Sequence, residues 1–216
     1  LLYLIIALPK ISSVNRFSVS KLPALFHNKA LIGLYLFVLL FSASYYTCYS
    51  YIEPFLKQVA GMSDSFVTEV LMMFGGAGIV GSIIFSKFYM RNKYRFTTSI
   101  MIVFSLCMLL IFPLSSIKWA LVVLCILWGM TATTFNVSMQ NEVLYLTDDS
   151  QSAVAMSISS GIFNMGIGCG TYLGGVVCTH SSIAYIGYTA SIMAILAVLY
   201  WLFRLQKLYK SFSKTY

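Results

Sequence analysis

The chain has 216 residues, of which 59% are apolar and only 9% charged, with a formal net charge of +8. A soluble domain usually carries about 25% charged residues, so this chain has too little charge to coat a globule in water. The basic residues sit between apolar blocks rather than interleaved with aromatics on one polar face, which argues against a nucleic-acid partner. The apolar blocks are roughly 20 residues long, the length that crosses a bilayer as a helix, and they do not alternate as barrel strands do. The sequence therefore predicts an all-α membrane protein.

Leu1–Leu8 reads as the end of a helix whose beginning lies upstream, and residues 9–29 as a basic linker carrying Lys10, Arg16, Lys21 and Lys29. The first full span is expected over residues 30–52, ended by Glu53-Pro54. The second covers 66–88, the third 96–113, the fourth 119–139, the fifth 152–178 and the sixth 183–203. A six-helix bundle thus occupies residues 30–204, followed by a basic tail at 205–216. If the linker is placed in the cytoplasm and the sides alternate, twelve Lys and Arg fall inside and only Lys57 and Lys118 outside. That bias puts both ends in the cytoplasm.

Four of the 14 glycines lie in the second span and six in the fifth. These are the middle helices of two successive triplets, as in carriers built from 3+3 inverted repeats. Gly166, Gly170 and Gly174 recur every four residues, and with Gly78 they are expected to serve close helix packing.

Polar residues inside a span face protein or trapped water. At 100° per residue, Ser42, Tyr46, Tyr49 and Glu53 share about 60° of the first span. Gly129, Thr133, Asn136 and Gln140 share a face of the fourth span. Ser157, Ser160, Asn164, Gly168, Thr171 and Gly175 share one on the fifth. Each stripe either lines a cavity or bonds to a neighbouring helix. Trp128 lies off its stripe and reads as packing or lipid-facing. Glu53 is either a water-exposed interfacial residue or a gating, proton-linked group. Asp64, Glu69, Glu142, Asp148 and Asp149 are expected to be solvated, leaving no acid deep in the bilayer. The five cysteines read as small buried hydrophobes. His27 and His180 have no ligand-spaced partners, and no metal, cofactor or enzyme motif is present.

The string from Tyr46 to Phe55 resembles the Y-T-A-Y-S-Y-I-E-P-F signature of bacterial sugar (arabinose-type) efflux transporters. These belong to the drug:proton antiporter branch of the major facilitator superfamily. Gly75–Ser82 is similar to that family's G-G-A-G-I-I-G-S and Ser160–Gly168 to its S-G-I-F-N-I-G-I-G. Met139-Gln140 and Ile186-Gly187-Tyr188 align in order, so the likeness runs from about Lys21 to Arg204. The loop from Lys87 to Arg95 departs from the superfamily's G-x-x-x-D-R-x-G-R-R pattern, having no Asp.

The resemblance implies the C-terminal half of a twelve-helix carrier in the bacterial inner membrane, exporting sugars or sugar analogues by proton antiport. Its partners would be the sugar, protons, membrane lipid and a missing N-terminal six-helix half, which would hold the proton-coupling acids. Tyr46, Tyr49, Asn136, Gln140, Ser160 and Asn164 would bind substrate. Two alternatives stand beside it: a multidrug/proton carrier, and a half-transporter remnant without activity of its own.

Overall fold

The computed structural model describes residues 22–212; the stub 1–8, most of the linker 9–29 and the last four residues of the tail lie outside the described residues. A short helix α1 (Leu22–His27) leads into α2 (Lys29–Tyr49), and α3 (Ile52–Gln58) continues the same span. Then come α4 (Asp64–Phe88), α5 (Lys93–Leu110), α6 (Lys118–Tyr145) and α7 (Asp149–His180). The last span is α8 (Ile186–Tyr200), a π-helical turn (Trp201–Leu205) and α9 (Gln206–Phe212). Six of these segments are long and apolar enough to cross a membrane.

Three of the starts follow from capping chemistry. Asn28 accepts the Ala30 and Leu31 N–H groups, Asn92 accepts that of Arg95, and Ser182 that of Ala184. Each satisfies a donor that the first turn cannot. The first span does not end at Glu53-Pro54, as expected from sequence. It breaks at Ser50-Tyr51, and Pro54 sits in the first turn of α3, where a missing N–H costs no helical bond. The fourth span runs six residues past its expected end, to Tyr145.

The helices pair in a pattern that reads alike from either triplet. α2 lies along α7, α4 along α6, and α5 against α8. Exchanging the first three spans for the last three converts the α2–α7 contact into α6–α4, as a 3+3 inverted repeat requires. Aromatic rings fill the centre: Phe41 stacks on Phe135 at 3.6 Å and meets Phe104 at 4.7 Å, while Phe37 stacks on Trp201 at 5.3 Å. In α7 only Ala155, Gly166, Gly170 and Gly174 are buried. The bundle thus leaves one long helix with most of its surface uncovered.

Candidate functional site

One concave site opens between α2, α6 and α7, with a cavity volume of about 240 Å³. Asn136 and Gln140 project into it from α6, and Ser159, Ser160 and Asn164 from α7. Val38, Phe135, Met139, Met156 and Phe163 complete the wall. The helix spacing explains the convergence, since 136/140 and 160/164 are each one turn apart on a single face. Gln140 Nε2 donates to Asn136 Oδ1 at 3.0 Å, and Asn164 Nδ2 donates to the Ser160 carbonyl at 2.9 Å. Those bonds fix the amides while leaving the Gln140 and Asn164 carbonyl oxygens free to accept. The site offers amide donors and acceptors, hydroxyls and a ring face, with no charged group in its wall.

Four of the six residues expected to bind substrate therefore meet in one cavity. Tyr46 and Tyr49 do not line it. They belong to an aromatic cluster nearer the far end of α2, where Tyr49 stacks on Tyr45 at 5.0 Å and on Phe74 at 5.5 Å. Phe163 links the two regions, with its ring 6.1 Å from that of Tyr46. Trp128, read as packing or lipid-facing, is packed: it is 1% exposed and meets Phe74 at 5.1 Å and Tyr45 at 5.6 Å.

The polar stripes divide in ways that a helical wheel does not show. Ser42 is fully buried against Gly166 and returns its hydroxyl to the Val38 carbonyl, so it does not face the cavity. Gly129 lies against the Phe74 backbone. Thr171 bonds Ser50 at 2.8 Å and its carbonyl accepts from Tyr51, fastening the break between α2 and α3 to α7 away from the site. A Cβ on Gly78 would come within 2.6 Å of Thr133 Oγ1, and one on Gly174 within 2.5 Å of the Thr47 carbonyl. Gly166 and Gly170 lie closer still, against Ser42 and Ala43.

Glu53 stands apart at the opposite end of the bundle from Glu142. It is exposed in α3 and pairs with Lys57 at 2.8 Å, which also reaches Asp64 at 3.0 Å. These three residues edge a second hollow with Val67, Thr68, Leu71 and Met72. Asp64, Glu69, Asp148 and Asp149 are exposed, as expected.

Glu142 corrects the expectation that all these acids are solvated. It is 2% exposed, accepts from the Tyr89 hydroxyl and pairs with Lys93 at 3.3 Å. Sequence reasoning missed it because the fourth span was ended at Met139, leaving residue 142 in a loop. The signal was the lone acid in a helical continuation, Gln140 to Tyr145, rich in apolar residues. Of the cysteines, Cys48, Cys107 and Cys125 are buried, whereas Cys169 is exposed on α7 and Cys178 half-buried. Among the described residues, no group of three or more His, Cys, Asp or Glu is placed to hold a metal ion.

Compared with known families, residues 6–154 match the family model described as Major Facilitator Superfamily.

Proposed function

Because the chain belongs to the Major Facilitator Superfamily, a family of secondary transporters, we propose that this bundle is one half of a proton-coupled exporter of sugars or sugar analogues. The observation that carries the reading is the uncharged, hydrogen-bonding cavity of Asn136, Gln140, Ser160 and Asn164 beside the Phe163 ring. A neutral polyol needs such donors and acceptors, and a charged lining would favour ions instead. At about 240 Å³ the cavity is smaller than the roughly 300–1,000 Å³ usual for small-molecule sites, as befits one wall of a site shared with a second bundle. The basic end, carrying Arg91, Lys93, Arg95, Lys207 and Lys210, faces the cytoplasm of a bacterial inner membrane. Transport follows from this bundle rocking against its partner around the cavity. Tyr46 and Tyr49 act above the cavity as ring contacts on the substrate path, and Glu53 as a gating or proton-linked carboxylate at the outer mouth.

In cells exporting a radiolabelled pentose through the carrier that contains this bundle, Asn136→Ala and Asn164→Ala should each weaken apparent affinity. The loss is on the order of fivefold apiece, about 1 kcal/mol for a neutral hydrogen bond. Export at wild-type affinity in both variants would sink the site assignment.

One observation favours a second cargo. Met139 and Met156 face the same cavity with Phe135 and Phe163, and flexible thioethers suit amphipathic drugs of varied shape. Protection of cells against cationic dyes without protection against toxic sugar analogues would select that reading.

A further inference from the structure

Trp128 and Trp201 are each 1% exposed, but their indole N–H groups fare differently. Trp201 Nε1 donates to Thr98 Oγ1 at 2.9 Å. Trp128 Nε1 is enclosed and finds no hydrogen-bond acceptor among the described residues. A buried indole usually bonds its N–H, and an orphaned one is costly. The neighbours of Trp128 are rings: Phe74 at 5.1 Å, Tyr45 at 5.6 Å and Tyr49 at 6.2 Å, crossing it at 77°, 64° and 86°. Such edge-on contacts offer the N–H a π face, a weaker acceptor than oxygen.

The enclosure is uneven. Phe74 is buried and Tyr45 half-buried, whereas Tyr49 is 37% exposed, so the outermost of the three rings is Tyr49. It is the last residue of α2, directly before the break at Ser50-Tyr51, and its ring rests on Tyr45 and Phe74 by stacking. The α6 backbone at Trp128 is fixed by comparison, because the adjacent Gly129 packs against the Phe74 backbone. A chain of rings joins this place to the cavity, from Phe163 to Tyr46 at 6.1 Å and from Tyr46 to Tyr49 at 5.7 Å.

We propose that Trp128 is a second subsite for a neutral, hydroxyl-bearing ligand, with the Tyr49 ring as its lid. When Tyr49 turns aside, the ligand accepts the indole N–H on one hydroxyl oxygen and lays its C–H face on the neighbouring rings. The donor left unpaired in the closed arrangement is then paired only in the occupied one, which is how an unsatisfied group discriminates for a ligand. The subsite rests on the transport reading and adds to it a station beyond the cavity.

The test uses the carrier that contains this bundle, in nanodiscs of phosphatidylethanolamine and phosphatidylglycerol, with D-xylose as the probe. Tryptophan labelled with ¹⁵N at the indole gives one N–H signal per residue, and Trp128→Phe identifies the signal of Trp128. Saturating xylose should move that proton downfield, as an oxygen acceptor replaces a ring. Trp128→Phe should weaken xylose binding on the order of fivefold, as for one neutral hydrogen bond. Without xylose, Tyr49→Ala should speed exchange of the Trp128 indole proton with water on the order of tenfold by removing its cover. If the Asn136 and Asn164 side-chain amide signals respond to xylose while that of Trp128 stays, the subsite is overturned and the cavity reading stands. If none of them responds, both are overturned. Should Trp128→Phe fail to fold, Tyr49→Ala decides, since unchanged water exchange at every indole overturns the lid and the subsite beneath it.

Discussion

At the scale of single residues, the glycines show how much a face assignment can decide. Gly170 lies where a Cβ would strike the Ala43 backbone, and backbone cannot turn aside as a side chain can. Gly168, two residues earlier on another face of α7, has nothing within 4 Å. Gly170→Ala should therefore push α7 off α2 and cost about 1–3 kcal/mol, the usual penalty of overpacking. Gly168→Ala should be neutral or slightly favourable, since alanine is the better helix former. Denaturation in mixed micelles would rank the two, and equal losses would show that the α2–α7 seam yields. The four-residue glycine spacing was legible in the sequence because helical periodicity alone puts 166, 170 and 174 on one side. What each glycine touches was not, because Ser42, Ala43 and Thr47 come from a helix more than 100 residues away.

Elements fail or hold at their ends. The turn between α3 and α4 depends on Gly61, whose φ of 63 lies in the left-handed region that only glycine enters freely. Gly61→Ala should cost about 1–2 kcal/mol, with no loss of packing because nothing lies within 4 Å of the site. At the basic end the π-helical turn brings Trp201 Nε1 within 2.9 Å of Thr98 Oγ1, tying the last span to α5. Thr98→Val keeps the shape but deletes the acceptor, leaving the indole N–H of a residue 1% exposed unpaired. The expected loss is about 1–3 kcal/mol. Thermal unfolding in detergent that left Thr98→Val at the wild-type midpoint would show that the indole finds another acceptor. Span existence was readable from apolar block length. Span ends were misplaced where the sequence sent mixed signals, at Pro54, which begins a helix rather than ending one, and at Glu142, which a loop assignment hid.

At the scale of the whole molecule, α4 and α7 are the least covered spans, and they hold corresponding places in the two triplets. The cavity of Asn136, Gln140, Ser160 and Asn164 opens between α2, α6 and α7. The convergence of 136/140 with 160/164 could be anticipated from helical faces. The separation of Tyr46 and Tyr49 into an aromatic cluster could not, because a helical wheel carries no information on depth along the axis. A carrier must close its site alternately toward either side of the membrane, and on the proposal that this bundle is one half of a carrier, it cannot do that alone. Vesicles containing the purified chain alone should therefore take up no labelled sugar above protein-free vesicles, even under an imposed proton gradient. Measured accumulation would mean that two copies of this bundle face each other across the cavity, and uptake would then rise with the square of protein density at low loading. Cysteine labelling sets the orientation on which the proposal rests. With twelve of the Lys and Arg assigned to one side, a cysteine at Met90, 84% exposed, should react only with permeant reagent in whole cells. One at Ser63, exposed at the other end, should react with impermeant reagent. The reverse pattern would turn the bundle over, place Glu53 and its Lys57–Asp64 pairs at the cytoplasmic mouth, and convert the proposed exit path into an entry path.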